Sequence, residues 1–210
     1  MIVIKKYIYI LFLTVCLFAR QNTINVNDPI KIKEKQYSAL FKQAKSLEKN
    51  GLFNEAQLIY ENVLSQDPTN KIAFNKIKII LKNNENFPLL KDIAEGYQYS
   101  QPNNLMAKID LLEVYLISSD NKWEKIANDI FSNQLKNDFI VEVLLSKLLQ
   151  FNQNIFAEII IESKRKAKDK QGFYSFKMGN YYISRLNYKS AIIEFLIFFD
   201  RNPDQYEKVS

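Results

Sequence analysis

From Tyr37 onward the chain alternates apolar and polar positions at helical spacing. Leu40, Ala44 and Leu47 stand four and three residues apart and mark one helix face, Gly51 interrupts that helix, Ala56, Tyr60 and Val63 mark the face of a second, and Pro68 ends it. The pattern predicts a helical hairpin. The stretch SRLNYKSAIIEFLIFFDRNP, residues 184–203, is built to the same plan. Ala44 to Ala56 and Gly179 to Ala191 are each 12 apart, Ala56 to Tyr60 and Ala191 to Phe195 each 4, Tyr60 to Pro68 and Phe195 to Pro203 each 8. Small residues in both helices let the two approach closely, and the aromatic ring at Tyr60 or Phe195 fills the space beside them.

Small residues in both helices, an aromatic in the second and a proline near its end resemble the tetratricopeptide repeat, a helix-turn-helix unit of about 34 residues. Pro102 lies 34 residues after Pro68, with Phe87, Leu90 and Ala94 in the places of Phe53, Ala56 and Tyr60, although Lys78 replaces the small residue of the first helix. Pro102 to Pro203 spans 101 residues, with a local slip around SSDNKW, residues 118–123. The ruler divides the chain into repeats at 37–70, 71–104, 105–137, 138–171 and 172–205. The resemblance implies an all-α stack of helical hairpins, a right-handed superhelix, in which first helices line a groove for a peptide or a partner protein. On that reading Phe41, Lys45 and Glu48 of the first repeat and Phe173, Phe176, Asn180 and Ile183 of the last face the groove; packing between repeats is the competing role for each. The segment after Pro203 opens like the start of a further first helix.

Ahead of the repeats, MIVIKKYIYILFLTVCLFARQN has Lys5 and Lys6, an apolar run from Tyr7 to Phe18, and Ala19 before a polar stretch. That is the order of a secretory signal peptide over residues 1–19. The apolar run is shorter than the roughly 20 residues of a membrane-spanning helix. Export is therefore expected, to a bacterial periplasm or as a secreted protein, with association with the cell envelope in view, and an uncleaved anchor is the alternative; residues 20–36 read as a linker or lead-in. Cys16 is the single cysteine. LTVC resembles a lipoprotein lipobox with Val15 where a small residue is expected, so a lipidated Cys16 is the less favoured reading. A chain cleaved after Ala19 has no thiol for a disulfide or a nucleophile.

The sequence of 210 residues is 47% hydrophobic and 13% aromatic, with only four glycines and five prolines, a composition for long helices rather than many tight turns. Removing the signal lowers the formal charge from +6 to +4, which is mild. The absence of histidine excludes Ser-His-Asp and Cys-His nucleophile systems and His-ligated metals. No Gly-rich phosphate loop occurs. Glu158 and Glu162, one helical turn apart, read as solvated helix charge rather than a metal or acid/base pair, because Lys164, Arg165 and Lys166 follow directly. The basic run at residues 163–170 reads as a lysine-rich helix end, and nucleic acid is not an expected partner.

No cofactor, metal or catalytic residue is expected. The function expected is an exported, non-enzymatic interaction scaffold with a protein or peptide partner. Membrane contact would come only from an uncleaved signal or a lipidated Cys16. The alternatives are a helical-repeat envelope-assembly lipoprotein and the accessory repeat region of an enzyme continuing beyond Ser210.

Overall fold

The computed structural model describes residues 29–166 and 170–204, with side chains from Tyr37 onward. The signal segment with Cys16, residues 20–28 and the stretch from 205 to 210 lie outside the described residues. Ten helices, and no strand, occur among the described residues. They are α1 (Pro29–Lys49), α2 (Phe53–Gln66), α3 (Lys71–Asn83), α4 (Phe87–Tyr99), α5 (Leu105–Ile117), α6 (Lys122–Gln134), α7 (Asp138–Gln150), α8 (Asn154–Arg165), α9 (Ser175–Ser184) and α10 (Tyr188–Arg201). Two compact units divide at Gln66 and Asp67, so α1 and α2 form one and α3 to α10 the other. The chain is all-α, a series of helical hairpins.

Each hairpin turns through one left-handed residue: Gly51, Glu85, Ser119, Asn152 and Leu186, at intervals of 34, 34, 33 and 34 residues. At every one, the amide just after the left-handed residue reaches back to the carbonyl of Leu47, Leu81, Tyr115, Leu148 or Tyr182, at 2.8–2.9 Å. This six-to-one bond is the Schellman closure of a helix C-terminus, which leaves no amide at the turn for a further helical bond. Only Gly51 is free of the steric cost that a Cβ brings to this conformation. Starts are marked as regularly. The side chains of Asn70, Asn86, Asn104, Asn137 and Asn187 accept from backbone amides in the first turns of α3, α4, α5, α7 and α10, replacing bonds those amides lack. α1 begins at Pro29, inside the stretch read as a lead-in. Proline suits the first helical position, and IKIKEKQ after it is rich in helix formers.

In the first unit Ala44 and Ala56 are fully buried where the two helices meet, and Tyr60 packs its ring 6.0 Å from that of Phe41. In the second unit the helices from α3 to α8 pack in chain order, each against the next, and α9 packs on α10. α5 is apolar nearly all round and lies inside: Ile109, Leu112 and Val114 are fully buried on different sides of it. Phe74 of α3 stacks on Tyr97 of α4 at 4.1 Å, and Trp123 of α6 meets Phe156 of α8 edge-on at 5.5 Å. In the last hairpin a Cβ at Gly179 would lie 2.6 Å from the ring of Phe195, so the absent side chain sets how closely α9 and α10 pack.

Candidate functional site

The turn intervals define which residues occupy equivalent places on the first helices. Lys45, Ile79, Glu113, Ser146 and Asn180 follow the same spacing of 34, 34, 33 and 34. All are exposed except Glu113. In the second unit this column is crossed by ion pairs that tie one first helix to the next. Lys78 of α3 donates to Glu113 of α5 at 2.6 Å and stands 3.6 Å from Asp110, while Lys147 of α7 donates to the other oxygen of Glu113 at 2.7 Å. Lys177 of α9 then reaches Glu142 of α7 at 2.6 Å. Lys78, which takes the place of a small residue in the repeat pattern, uses that position to bridge helices.

The two α5 carboxylates sit one turn apart in opposite electrostatic states. Burial alone would raise Glu113, but the hydrogen bonds from Lys147 and Lys78 outweigh it and hold the carboxyl below its ordinary range. Burial pushes Asp110 up, and the charges of Lys78 and Lys71 oppose this without cancelling it. Its Oδ2 accepts no hydrogen bond among the described residues. Glu113 therefore acts as the fixed anion of the ladder.

The groove residues expected from sequence fall into two groups, one in each unit. On α1, Phe41 is half-buried against Tyr60, Lys45 is exposed, and Glu48 accepts the Tyr60 hydroxyl at 2.8 Å. The Tyr60 hydroxyl is pushed far above its ordinary range, first by burial and then by Glu48. In the last hairpin Phe173 lies in the turn before α9 and is buried, with the Lys164 ammonium 5.2 Å from its ring centre. Phe176, Asn180 and Ile183 are exposed on α9. Phe176 also packs on Phe195 and Phe198, at 5.8 and 5.0 Å, and the Asn180 amide donates to the Phe176 carbonyl at 3.0 Å. Phe176, Asn180 and Ile183 are thus brought together on one helix, with Phe173 beneath the preceding turn. The central positions Ile79, Glu113 and Ser146 are missing from the sequence reading, although carrying the 34-residue ruler through the middle of the chain reaches them.

The basic run from residue 163 closes α8, with Lys164 and Arg165 in its last turn, and these two cations also find acceptors on other segments. Lys164 is buried and donates to the Leu135 carbonyl and to Asp138. Arg165 forms a two-pronged pair with Glu194 at 3.0 and 2.6 Å and donates from Nε to the Phe173 carbonyl at 3.0 Å. These cations fasten α8 to the start of α7 and to α10, because an ammonium or guanidinium can enter a helix junction only with acceptors to meet it. Residues 167–169 of the run lie outside the described residues. Glu158 accepts from the Tyr182 hydroxyl at 2.7 Å. Among the described residues no group of His, Cys, Asp or Glu side chains could hold a metal ion. No helix among them is long and apolar enough to cross a membrane.

No protein-family model matches the chain, and no curated protein matches it. Among solved structures, it is similar to MamA residues 41 to the end from Desulfovibrio magneticus RS-1, with 12% identity over 80% of this chain and 96% of the other and a TM-score of 0.46. It is also similar to PilF of Pseudomonas aeruginosa, with 13% identity over 80% of this chain and 77% of the other and a TM-score of 0.47.

Proposed function

We propose that this protein is an exported, non-enzymatic scaffold whose first helices bind a peptide or a partner protein. The observation that carries the reading is the column through Ile79, Ser146 and Asn180, exposed on the first helices α3, α7 and α9, which the Lys78–Glu113–Lys147 ladder and the Lys177–Glu142 pair tie to one another. Ion pairs between neighbouring helices fix their spacing without covering the positions beside them, and a row of fixed, mixed polar and apolar contacts suits an extended or helical segment. Export rests on the order of charged, apolar and small residues in positions 1–19. Fractionation and N-terminal sequencing test it: a mature chain beginning at Arg20 outside the cytoplasm is expected, and an intact Met1 in the cytoplasm would reject it.

Binding is tested by mild crosslinking in the native cell, followed by purification of the protein and of a Phe41→Ala, Phe176→Ala variant. One partner enriched with the parent and lost with the variant is expected. Equal recovery of the same proteins by both forms, at equal helicity, would remove the first-helix face from the account.

A further inference from the structure

α10 is rich in apolar residues, yet those residues are covered on one side only. Its inner side carries Ala191, Phe195 and Phe198, against α9. On the other side Tyr188, Ile192, Ile193 and Leu196 are exposed to 60%, 59%, 51% and 59%. A contiguous exposed apolar strip of this kind marks an interaction surface. Its charges indicate the occupant. Lys189 and Asp200 are exposed on the same strip, near opposite ends of α10 and almost equidistant from its middle. At 3.6 residues per turn, both project within about 40° of Leu196 around the helix axis.

We propose that the outer face of α10 binds the same face of a second copy of this chain, forming a two-fold dimer with the two α10 helices antiparallel. A two-fold interface must be self-complementary, and antiparallel pairing about the centre of α10 places Lys189 opposite the partner's Asp200, and Asp200 opposite the partner's Lys189. Leu196 then lies against the partner's Ile193 in the apolar middle. Parallel pairing would set like charges side by side. The arrangement closes on itself, so it gives a dimer and not a chain of copies. One helix from each protomer makes a small interface, so association in the micromolar range is expected.

Sedimentation equilibrium of the full chain, purified from the cells that make it, tests this. A dimer at about 50 µM that becomes a monomer in Leu196→Asp, with unchanged helicity by circular dichroism, is the expected result. Lys189→Asp and Asp200→Lys should each raise the dimer dissociation constant about tenfold, and the two together should restore it, since the swap re-creates both pairs. A monomer at that concentration, as expected if a different protein or a further helix covers α10, would overturn the proposal. So would assembly beyond a dimer, a dimer indifferent to Leu196→Asp, or a double variant no better than the single ones.

Discussion

Gly179 is the residue where backbone proximity is most tightly determined. A Cβ there would approach three atoms of the Phe195 ring within 2.6–2.9 Å, so the ring, which also meets Phe176, must shift to admit it. Gly179→Ala is expected to destabilise the protein by about 1–3 kcal/mol through overpacking, measured by denaturant melts. Leu186 presents the opposite case. It occupies the left-handed turn position at φ 59° with its side chain largely exposed, so it carries the conformational cost with little packing in return. Leu186→Gly should raise stability by about 1 kcal/mol. For Glu113, removing the charge while keeping the shape strands two lysines, and Glu113→Gln should cost about 2 kcal/mol. The pH dependence has a definite sign. Glu113 has a folded pKa below its unfolded one, so its contribution is present above the ordinary glutamate pKa of 4.5 and is lost as pH falls through the folded value. Asp110 is raised, so it favours folding when protonated and loses that contribution as pH rises from 3.8 through its folded value. Melts of Glu113→Gln and Asp110→Asn across the acidic range should therefore depart from the parent with opposite slopes.

For the helices, starts and stops carry as much of the fold as the apolar faces. Asn104 accepts from the amides of both Met106 and Ala107 at the start of α5, and Asn104→Ala should cost about 1 kcal/mol at that end. A charge placed between helices has a larger effect. Ala191 is buried against α9, and Ala191→Asp should lower stability by about 3 kcal/mol, or roughly 10 °C in Tm. Helical class and hairpin pairing were legible because Ala44, Ala56, Gly179 and Ala191 leave a clear small-residue signature. The turns were less so: of the five left-handed residues at hairpin turns only Gly51 is a glycine, and Glu85, Ser119, Asn152 and Leu186 are held there by the bonds of the closed turn. The partners of the basic run were hidden for a related reason. Sequence spacing along α8 shows Lys164 and Arg165 beside other cations, while their acceptors at Leu135, Asp138 and Glu194 come from distant parts of the chain. Lys78 likewise looked like a break in the repeat until Glu113 was placed beside it.

Across the whole molecule, two surfaces have separate roles in this account. In the second unit the first-helix column exposes Ile79 beside the polar Ser146 and Asn180 and is braced by ion pairs, as suits a partner recognised by several dispersed contacts. The outer face of α10 is an apolar strip with a charge near each end, as suits a second copy of the chain. Ser146 is at the centre of the first surface, exposed on α7, whereas Lys125 is exposed on α6, the second helix of its hairpin. The most direct test of the scaffold reading is therefore site-specific photocrosslinking in the native cell, with a photoreactive residue at Ser146 or, in parallel, at Lys125. The account predicts a discrete crosslinked protein from position 146 that position 125 does not give. The same product from both positions, or from position 125 alone, would contradict it.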